Sequence, residues 1–536
     1  MKVRTALAVL VLASARLVPS FCSLAPDDAR ASSSATRPRP PERQVDLTPP
    51  ASGRVLSIRA GGDFQAALHA AEPGDTLELE AGAIFRGPFT LPAKAGDGWI
   101  VIRSSAIDAL PRRGSRVSPT DATHMPVLEA EKEVVIATQQ GAHHYWFSGL
   151  EIRPRPGAVL LNLVVLGSTE RTTDSLPHHF VFDRCYLHGD PIKGARRGIA
   201  MNAAAIAVVD SHLSDFKEAG ADTQAIASWN GAGPFAIINN HLEAAGENVM
   251  FGGADPTIHG LVPADIEIRR NHFFKPLSWK IAHPQYAGTP WTVKNLLELK
   301  NARRVRVDGN VFEHNWPQAQ NGFAILFTVR NQDGGAPWSV VEDVTFSNNI
   351  VRHVGAAINI LGRDDLQRSQ PTERVLIVNN LFDAIGGEWG SGRLFQLLDG
   401  TVDVVIQHNT AVTSGEIIVP SGAAQIGFVF QYNIVFTTDE GREPRQRDRS
   451  LLRRFFREPV VSHNGIGGDD PYRYPSDNRF PKSLAAIGFE DAAAGNYRLT
   501  DASPLRDAAA DRRAIGVDMD ALLAAHEPSS DRRTQP

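Results

Sequence analysis

The stretch NNHLEAAGENVMFGG, residues 239–253, places two asparagines where an apolar run ends, and then opens a second apolar run with a carboxylate and an amide. The first half of this stretch recurs as a β-rich run, an asparagine and two mostly apolar positions. The asparagine-containing copies are AIINNHLEA (236–244), EIRRNHFFK (267–275), RVDGNVFEH (306–314), TFSNNIVRH (345–353), LIVNNLFDA (376–384), VIQHNTAVT (405–413) and VFQYNIVFT (429–437). In two earlier copies Cys185 and Ser211 occupy the asparagine position. The chain is therefore composed of a repeating unit.

The intervals between these marker positions range from 24 to 39 residues, whereas the phrase around each marker keeps its form. A constant phrase with variable intervals indicates fixed rungs joined by loops of different length. The runs are short, rich in Val and Ile, and alternate, which is typical of strands and not of helices with a 3.6-residue period. We therefore predict an all-β parallel solenoid whose coils rise about 4.8 Å each.

An asparagine that recurs once per coil is expected to lie inside a bend of the solenoid. There it can hydrogen-bond the turn backbone and the equivalent asparagine of the next coil. An unpaired buried amide costs about 1–3 kcal/mol, so the ladder has to be satisfied along its length. We predict that the marker asparagines are structural.

The residues before and after the repeats have patterns that predict segments outside the solenoid. In residues 1–25 a basic start, an apolar run and small residues up to Ala25 are typical of a secretory signal peptide. Residues 26–52 are rich in Pro, Ser and charge, which predicts an extended linker. The solenoid with its C-terminal closing segment is predicted over residues 53–520, followed by a disordered tail at 521–536.

Composition narrows the classes of function and the compartment. The chain has 536 residues, 55 basic against 60 acidic, and a formal net charge of −5, which argues against a general nucleic-acid binder. No segment after the signal peptide approaches the roughly 20 apolar residues of a membrane span. Signal cleavage would leave Cys185 as the lone cysteine, so packing is expected to hold the fold. We predict a secreted or periplasmic monomer, and leave open a lipid anchor at Cys22.

Three features together carry a family resemblance: the helical pattern FQAALHAAEPGDTLEL from Phe64, the marked coils, and the closing SPLRDAAADRRAIGVDMDAL. They resemble secreted right-handed parallel β-helix proteins of the pectate-lyase-like superfamily, over about residues 53–520. The resemblance implies a right-handed β-helix with an N-terminal capping helix. It leaves activity open, because that fold hosts lyases, hydrolases, epimerases, phage spikes and adhesins.

A second strand is predicted between successive markers, and these strands are expected to stack into one parallel sheet. They lie in DTQAIASWNG (222–231), ENVMFGGAD (247–255), LLELKNAR (296–303), AILFTVRNQDGG (324–335), AINILGRDD (357–365), RLFQLLDG (393–400) and GEIIVPSG (415–422). Their polar members are sorted along the axis, with carboxylates first and then Lys300, Arg330 and Arg363. Three rungs span about 14 Å, the reach of a short oligosaccharide. This pattern predicts a binding groove.

The groove residues suggest a lyase acting on an acidic, uronate-containing polysaccharide. β-Elimination requires a neutralised uronate carboxylate and a base, and the predicted metal ligands for Ca²⁺ are Asp222, Glu247 and Asp255. The candidate catalytic cations are Lys300, Arg330 and Lys280. The predicted substrate-binding residues are Gln224, Asn248, Glu298, Asn331, Asn359, Arg363 and Trp338.

The residues 233–255 are similar in rhythm to the Ca²⁺-binding region of pectate lyases, but the family's arginine-rich catalytic signature is replaced by KPLSWK. Lys275 and Lys280 are possible substitutes. The alternatives are a non-catalytic carbohydrate-binding or surface protein and a polygalacturonase-like hydrolase. The hydrolase is the weaker alternative, because no Gly-His-Gly or Arg-Ile-Lys tripeptide occurs in the chain.

Two further motifs allow two interpretations each. Five of the eight tryptophans lie between residues 279 and 389, where they either stack on sugar rings or pack loops against the solenoid: Trp279, Trp291, Trp316, Trp338 and Trp389. Two histidine pairs enter strands, in HHYWF from His143 and in HHF from His178. Their members either point alternately in and out or ligate a metal.

Overall fold

The computed structural model describes residues 35–51, 53–438, 450–509 and 514–527. The predicted signal peptide and the lipid-anchor candidate Cys22 lie outside the described residues. Within them, no helix has the length and apolar character needed to cross a bilayer.

Three long parallel sheets wind into a right-handed β-helix, which confirms the predicted fold class. Sheet 1 contains β1 Val55–Ile58, β2 Thr76–Leu79, β5 Ile100–Ser104, β8 His143–Ser148, β11 His178–Asp183, β14 Ala204–Val209, β17 Phe235–Ile238, β20 Ala264–Arg269, β23 Ala302–Asp308, β26 Val341–Ser347, β29 Glu373–Val378, β32 Val402–Gln407, β35 Gln425–Ile426, β36 Val429–Gln431, β38 Phe456–Arg457 and β39 Val460–Ser462. Sheet 2 contains β3 Ile84–Arg86, β6 Val127–Ala130, β9 Glu151–Pro154, β12 Tyr186–His188, β15 His212–Phe216, β18 His241–Ala244, β21 His272–Phe274, β24 Val311–Asn315, β27 Ile350–Val354, β30 Leu381–Ile385, β33 Thr410–Thr413, β37 Ile434–Thr437 and β40 Gly465–Gly467. Sheet 3 contains β4 Phe89–Leu91, β7 Ile136–Thr138, β10 Val164–Leu166, β13 Arg197–Met201, β16 Gln224–Ser228, β19 Glu247–Phe251, β22 Leu297–Leu299, β25 Phe323–Thr328, β28 Ala356–Leu361, β31 Phe395–Leu398 and β34 Ile418–Ser421.

The remaining elements are short. Two antiparallel strands, β41 Phe489–Asp491 and β42 Asn496–Leu499, pair near the C-terminal end of the described chain. The α-helices are α1 Phe64–Ala70, α2 Leu451–Phe455 and α3 Met519–His526. Single 3₁₀ turns lie at Ile107–Ala109, Pro119–His124, Thr173–Ser175, Leu277–Trp279, Gly387–Trp389, Pro471–Arg473, Ala485–Ile487 and Ala492–Ala494.

Each coil visits the three sheets in the same order. In the central coil β17 of sheet 1 leads through Asn240 into β18 of sheet 2, β19 of sheet 3 follows, and a longer loop returns to β20. Apolar side chains of like position stack inside the solenoid. One such column on sheet 3 consists of Ile199, Ile226, Val249, Leu297, Ile325, Ile358 and Phe395. Burying such columns coil upon coil is the main source of stability in this kind of fold.

The predicted asparagine ladder is confirmed and is longer than the sequence pattern indicated. Asn310 accepts hydrogen bonds from the backbone and the side chain of Asn271, at 2.9 and 3.0 Å, and bonds to Asn349 in the same way. The ladder continues past Asn433 through Asn464 to Asn478. All of these amides are buried, so the ladder keeps each of them paired.

The residue before each marker has a left-handed backbone, which explains the asparagine pairs. Asn239, for example, has φ 56°, and Asn348 and Asn379 have φ 53° and 56°. Asparagine tolerates this conformation better than most residues with a side chain. The first asparagine of each pair therefore turns the corner, and the second builds the ladder.

Helix α1 forms where the sequence predicts it. Its Phe64 and Leu68 are buried, and the Phe64 ring lies 4.9 Å from Phe89 and 6.0 Å from Phe85 between centroids. The predicted role of α1 as a cap on the first coil stays a prediction. At the other end, α3 buries Leu522, so the tail predicted from residue 521 begins with ordered helix.

The second half of the predicted linker lies against sheet 1. We call residues 37–47 the N-terminal strap. The Arg39 side chain donates to Asp343 at 2.8 Å, and Arg43 donates to Asp265 at 2.9 Å. Further along, Val45 and Leu47 pack with an apolar cluster of the sheet that includes Trp146. This part of the predicted linker is therefore bound to the β-helix along its length.

Asp265 connects the strap to the β-helix. Its side chain has no exposed surface, and it accepts hydrogen bonds from Arg304 as well as from Arg43 and the backbone of Glu42. Burial alone would raise the pKa of this carboxyl, but these donors outweigh it and lower the pKa to about 2. The carboxylate is therefore charged and fully bonded in the folded protein.

We expect Asp265→Asn to lower the free energy of unfolding by about 2 kcal/mol at pH 7, because an amide cannot accept all of these hydrogen bonds. A lowered folded-state pKa contributes stability above the unfolded pKa of about 4, and this is lost as pH falls towards 2. The difference between wild type and variant should therefore shrink over that range in urea unfolding. Asp403→Asn is a matched control, since Asp403 has the same left-handed backbone (φ 52°) on sheet 1 but is only half-buried. An equal loss in both variants would contradict the role of Asp265.

Candidate functional site

Sheet 3 carries a group of charged and polar side chains from three successive strands, β16, β19 and β22, and from the residues just before β16 and on both sides of β22. We call it the sheet 3 cluster. It consists of Asp222, Gln224, Glu247, Lys294, Glu298 and Lys300. Parallel pairing places Gln224 directly beside Glu247, and Glu298 beside Met250 of the coil before it. Residues far apart in sequence thus become stacked neighbours.

Lys294 is the central cation of the cluster. Its Nζ lies 2.5 Å from Asp222 Oδ2 and 3.5 Å from Glu247 Oε1. Burial disfavours a charged lysine, but the attraction of Glu247 and Asp222 outweighs burial and raises the pKa of Lys294. Lys294 is therefore a fixed positive charge at neutral pH.

Glu247 is the most buried acid of the cluster, with 0% exposed surface. Its Oε2 accepts a 2.7 Å hydrogen bond from Gln224, whereas its Oε1 has only the longer approach of Lys294 and no hydrogen bond. Burial, reinforced by the neighbouring Glu298, raises the pKa of Glu247 to about 7. Carboxyls tuned to this range are typical of general acid–base groups.

Glu298 contacts the second lysine of the cluster. Its Oε2 accepts from Asn295 at 3.1 Å, and its Oε1 lies 3.6 Å from Lys300 Nζ. The Lys300 side chain is 17% exposed. Lys300 is therefore a cation at the surface of the cluster, next to a nearly buried carboxylate.

Gln224 extends the cluster towards the N-terminal coils. It accepts a 2.9 Å hydrogen bond from Arg197 Nε, and Arg197 Nη1 donates to Asn162 at 2.8 Å. The Arg197 guanidinium also lies 5.2 Å from the ring centroid of the half-buried Trp229. An arginine beside an aromatic face is suited to hold an anionic group and a sugar ring together.

The structure thus brings together five residues expected from the sequence: Asp222, Gln224, Glu247, Glu298 and Lys300. Sequence reasoning missed Lys294 and Arg197. Arg197, Gln224 and Glu247 are the first residues of β13, β16 and β19, so an alignment of strand starts would have found Arg197. Lys294 lies in the long loop before β22, outside the strand pattern.

Arg330 and Asn331 follow β25 on the next coil, but their side chains point away from the cluster. Arg330 forms ion pairs with Asp364, at 2.8 Å, and with Asp365. Although burial opposes it, these pairs raise the pKa of Arg330, so it is not suited to be a base. Asn331 is buried and bonds the loop backbone at Ala336 and Arg368.

Three other expected residues lie in the same loop region or beyond it. Asp255 accepts a 2.7 Å hydrogen bond from the backbone of Gly335. Trp338 donates to the Leu261 carbonyl at 3.1 Å, and Arg363 is exposed. None of them has a contact with the sheet 3 cluster among the contacts of the described residues.

The structure does not place Asn248, a predicted substrate-binding residue, at a surface. Its side chain is wholly buried and donates to the carbonyls of Leu242 and Phe274. The neighbouring Lys275 is also fully buried, where its Nζ bonds three backbone carbonyls and Asn248 Oδ1. Burial lowers the pKa of Lys275 to about 7, but its contacts are those of a structural cation that closes the turn between sheets 2 and 3.

The central tryptophans favour the packing interpretation. Four of the five are at most 9% exposed and form one apolar cluster: Trp279, Trp291, Trp316 and Trp389. Lys280 belongs to this cluster, because its Nζ lies 4.0 Å from the centroid of Trp389 and 3.2 Å from the carbonyl of Glu388. The structure therefore does not bring Lys280 to the sheet 3 cluster.

Asn359 continues the outer row of sheet 3 two coils beyond Glu298. It is half-buried and accepts a 3.0 Å hydrogen bond from Gln396 of the following strand. Between them lies Leu326, which with Phe323 forms an apolar patch. Along the axis, the outer face of sheet 3 thus carries charged side chains first, then an apolar patch and then amide side chains.

The expected Ca²⁺ ligands do not converge in this arrangement. Among the described residues, Asp222, Glu247 and Asp255 are not a set whose carboxylate oxygens lie within 4.8 Å of one another. Ca²⁺ takes six to eight oxygen ligands, and here the ammonium of Lys294 stands between two of the acids. As arranged, the cluster does not fit Ca²⁺, and Ca²⁺ stays a prediction from the sequence.

Comparison with known proteins gives similarity at the level of structure. No protein-family model matches the sequence, and no curated protein matches it. The PL6 family alginate lyase AlyGC superposes with a TM-score of 0.51 at 14% identity, over 87% of this chain and 58% of its own. A GH87 α-1,3-glucanase from Streptomyces thermodiastaticus strain HF3-3 gives 0.48 at 12%, over 82% and 72%.

An alginate lyase from Paenibacillus sp. str. FPU-7 gives a TM-score of 0.37 at 13% identity, over 66% of this chain and 99% of its own. At these identities the similarity concerns the fold alone. The chain is a right-handed parallel β-helix protein whose fold is similar to that of AlyGC, in agreement with the fold that the sequence resemblance implied.

Proposed function

We propose that the protein binds an acidic, uronate-containing polysaccharide along sheet 3 and cleaves it by β-elimination. The observation that carries this proposal is the sheet 3 cluster, in which Lys294 and Lys300 alternate with the nearly buried acids Glu247 and Glu298 over adjacent coils. Such a row combines fixed positive charge with titratable groups at the spacing of sugar units.

β-Elimination removes the proton on the carbon next to the uronate carboxylate, forms a carbon–carbon double bond there, and breaks the bond to the glycosidic oxygen. The carboxylate has to be neutralised so that the carbanionic charge can develop. Lys294 and Arg197 are the fixed cations available for this task. Lys300 is the candidate base in its deprotonated form, because it is the more accessible lysine and has only one carboxylate partner, Glu298 at 3.6 Å; it must give up its proton to solvent before the elimination step.

Glu247 is the candidate source of the proton for the departing oxygen, a role that requires a side-chain movement to bring its buried Oε1 to the substrate. With its pKa near 7 it holds a proton in part of the molecules at neutral pH, and Gln224 fixes the orientation of its other oxygen. After transfer, the negative charge left on Glu247 is stabilised by Lys294. In this assignment Glu247 supplies the proton, and Lys294 stabilises the carboxylate that remains.

The fold gives independent support for a polysaccharide as substrate. AlyGC, whose backbone matches over 87% of this chain, is an alginate lyase. Long parallel sheets offer an extended surface on which successive sugar units contact successive coils. A secreted or periplasmic location, predicted from residues 1–25, would bring the protein to such polymers.

The purified chain should be incubated with alginate, pectate and glycosaminoglycans, with Ca²⁺ and with a chelator. We expect ultraviolet absorbance of the unsaturated product to rise with at least one of these polymers and not with a neutral glucan. Because the cluster supplies its own cation, we expect the activity to survive chelation. New reducing ends without unsaturation would instead indicate a hydrolase, and binding without any product a carbohydrate-binding protein.

A further inference from the structure

Two histidine pairs meet on sheet 1, whereas the cluster described above belongs to sheet 3. His143 of β8 pairs in register with His178 of β11. Their rings stack with centroids 4.8 Å apart, and the rings of His144 and His179 stack at 4.4 Å. We call these four residues the histidine cluster. The sides of the square that they form are all between 4.4 and 4.9 Å.

The backbone explains why consecutive histidines do not point to opposite faces. His144 and His179 have left-handed backbones, with φ 58° and 61°. In a regular strand neighbouring side chains alternate, and this break turns both members of each pair towards the same place. Holding two non-glycine residues in this conformation costs free energy, and such strain is often found at functional sites.

The ring nitrogens of the cluster face one another. Nδ1 of His143 lies 2.8 Å from Nδ1 of His144, and the same atoms of His178 and His179 lie 2.7 Å apart. A contact of this kind needs one proton between the two nitrogens, since two N–H groups would clash. Ligand nitrogens of His144, His178 and His179 all lie within 4.8 Å of one another.

The imidazoles of the cluster present ring nitrogens that a metal ion can share, and those of three of them lie close together. Neutral imidazole is the form that ligates metals. His143 Nε2 contacts the carbonyl of Lys94 at 2.9 Å, which orients that ring as outer-shell partners do in metal sites.

We propose that the histidine cluster binds a divalent transition-metal ion, for which Zn²⁺ is the probe. Zinc–nitrogen bonds of about 2.0–2.1 Å in a tetrahedron separate two ligand nitrogens by about 3.4 Å. Side-chain adjustments of about 1 Å would convert the present contacts into that geometry. All four side chains are half-buried, and a groove next to Arg43 and Gln44 opens onto His178 and His179.

A second group of possible ligands, Glu313, His314 and His353, is a weaker candidate. Glu313 is already held by Arg352 and His272, both at 2.9 Å. Burial would raise its pKa, but these donors lower the pKa of Glu313 to about 2, so a metal ion would have to displace an arginine. No arginine or lysine of the described residues forms an ion pair within the histidine cluster: Arg43, which borders the groove, is paired with Asp265.

The test is calorimetric titration of the tag-free, metal-stripped full chain with Zn²⁺ at pH 7.5, together with the variant His144→Asn/His179→Asn. Asparagine tolerates the left-handed backbone of both positions. We expect one saturable site in the wild type and at least a hundredfold weaker binding in the variant. Glu313→Gln/His353→Asn and the loop variant His283→Asn should bind as the wild type does.

Thermal unfolding in a chelator shows whether the double variant is folded, because its midpoint should then match that of the wild type. Added Zn²⁺ should raise the midpoint of the wild type and leave that of the variant unchanged. Equal Zn²⁺ affinity in wild type and variant, or no saturable binding by the wild type, would overturn the proposal. A loss of binding confined to Glu313→Gln/His353→Asn would overturn it in favour of the second group.

Discussion

Asn310→Ala should lower the free energy of unfolding by about 4 kcal/mol, the largest loss that we expect from a single side chain outside the apolar core. The asparagine makes four side-chain hydrogen bonds: two accepted from Asn271, one donated to the carbonyl of Ile268 and one donated to Asn349. Alanine leaves a buried backbone N–H, an amide and a carbonyl without these partners, and each costs about 1–3 kcal/mol.

Chemical unfolding at pH 7 measures the effect, and Asn359→Ala is the control. Asn359 is an asparagine of the same solenoid, but it is half-buried and accepts a single hydrogen bond, from Gln396. We expect its loss to stay within about 1 kcal/mol. Because coils contact only their neighbours, hydrogen exchange in the Asn310 variant should rise mainly in the coils of Asn271 and Asn349. Equal losses in the two variants would mean that the ladder is not a special source of stability.

The ladder was predictable because its signal is local and repeated. Each marker stands in a phrase of nine residues, and one β-helix coil requires one such phrase. The last two members escaped the pattern, because Asn464 is followed by Gly465 in place of an apolar residue and Asn478 lies outside any named strand. The ladder can therefore extend beyond the coils that show the nine-residue phrase, because its hydrogen bonds require only the asparagine amide.

The strap was not predictable by the same means. Its arginines and prolines have the composition of a linker, and their partners lie far away in sequence. Arg43 and Asp265 are 222 residues apart, and Arg39 and Asp343 are 304 apart. Only the stacking of coils brings Asp265 and Asp343 onto one line of sheet 1. The periodicity of the sequence carries no information about a segment that is not itself a repeat and crosses several coils.

For the candidate site, the regular alternation of side chains along a strand led to correct predictions at some residues and to a wrong one at another. It placed Glu298 and Lys300 at the same outer surface. It failed at Asn248, which comes at the very start of β19, where the turn directs its amide to the carbonyls of Leu242 and Phe274. Lys294 could not be found from any strand pattern, because a loop positions it.

The second large effect concerns catalysis. We expect Lys300→Ala to lower the turnover rate on the uronate polymer by at least about a hundredfold, the usual contribution of a general base. Lys300 contacts Glu298 at a distance of 3.6 Å and is partly exposed, so its removal should change the thermal midpoint little. Lys193→Ala removes an exposed lysine that bonds only the carbonyl of Gly157, and should leave the rate unchanged.

Lys294→Gln separates the role of the fixed cation from that of the base. Lys294 lowers the pKa of Glu247, so its removal should raise that pKa further above its ordinary range. The limb of the pH–rate profile that reports Glu247 should then move to higher pH in Lys294→Gln and stay in place in Lys300→Ala. A structural role alone would lower the rate without moving the limb. If both variants kept full activity and Lys280→Ala lost it, the chemistry would lie at the tryptophan cluster. Among the described residues, no contact links Lys280 to sheet 3.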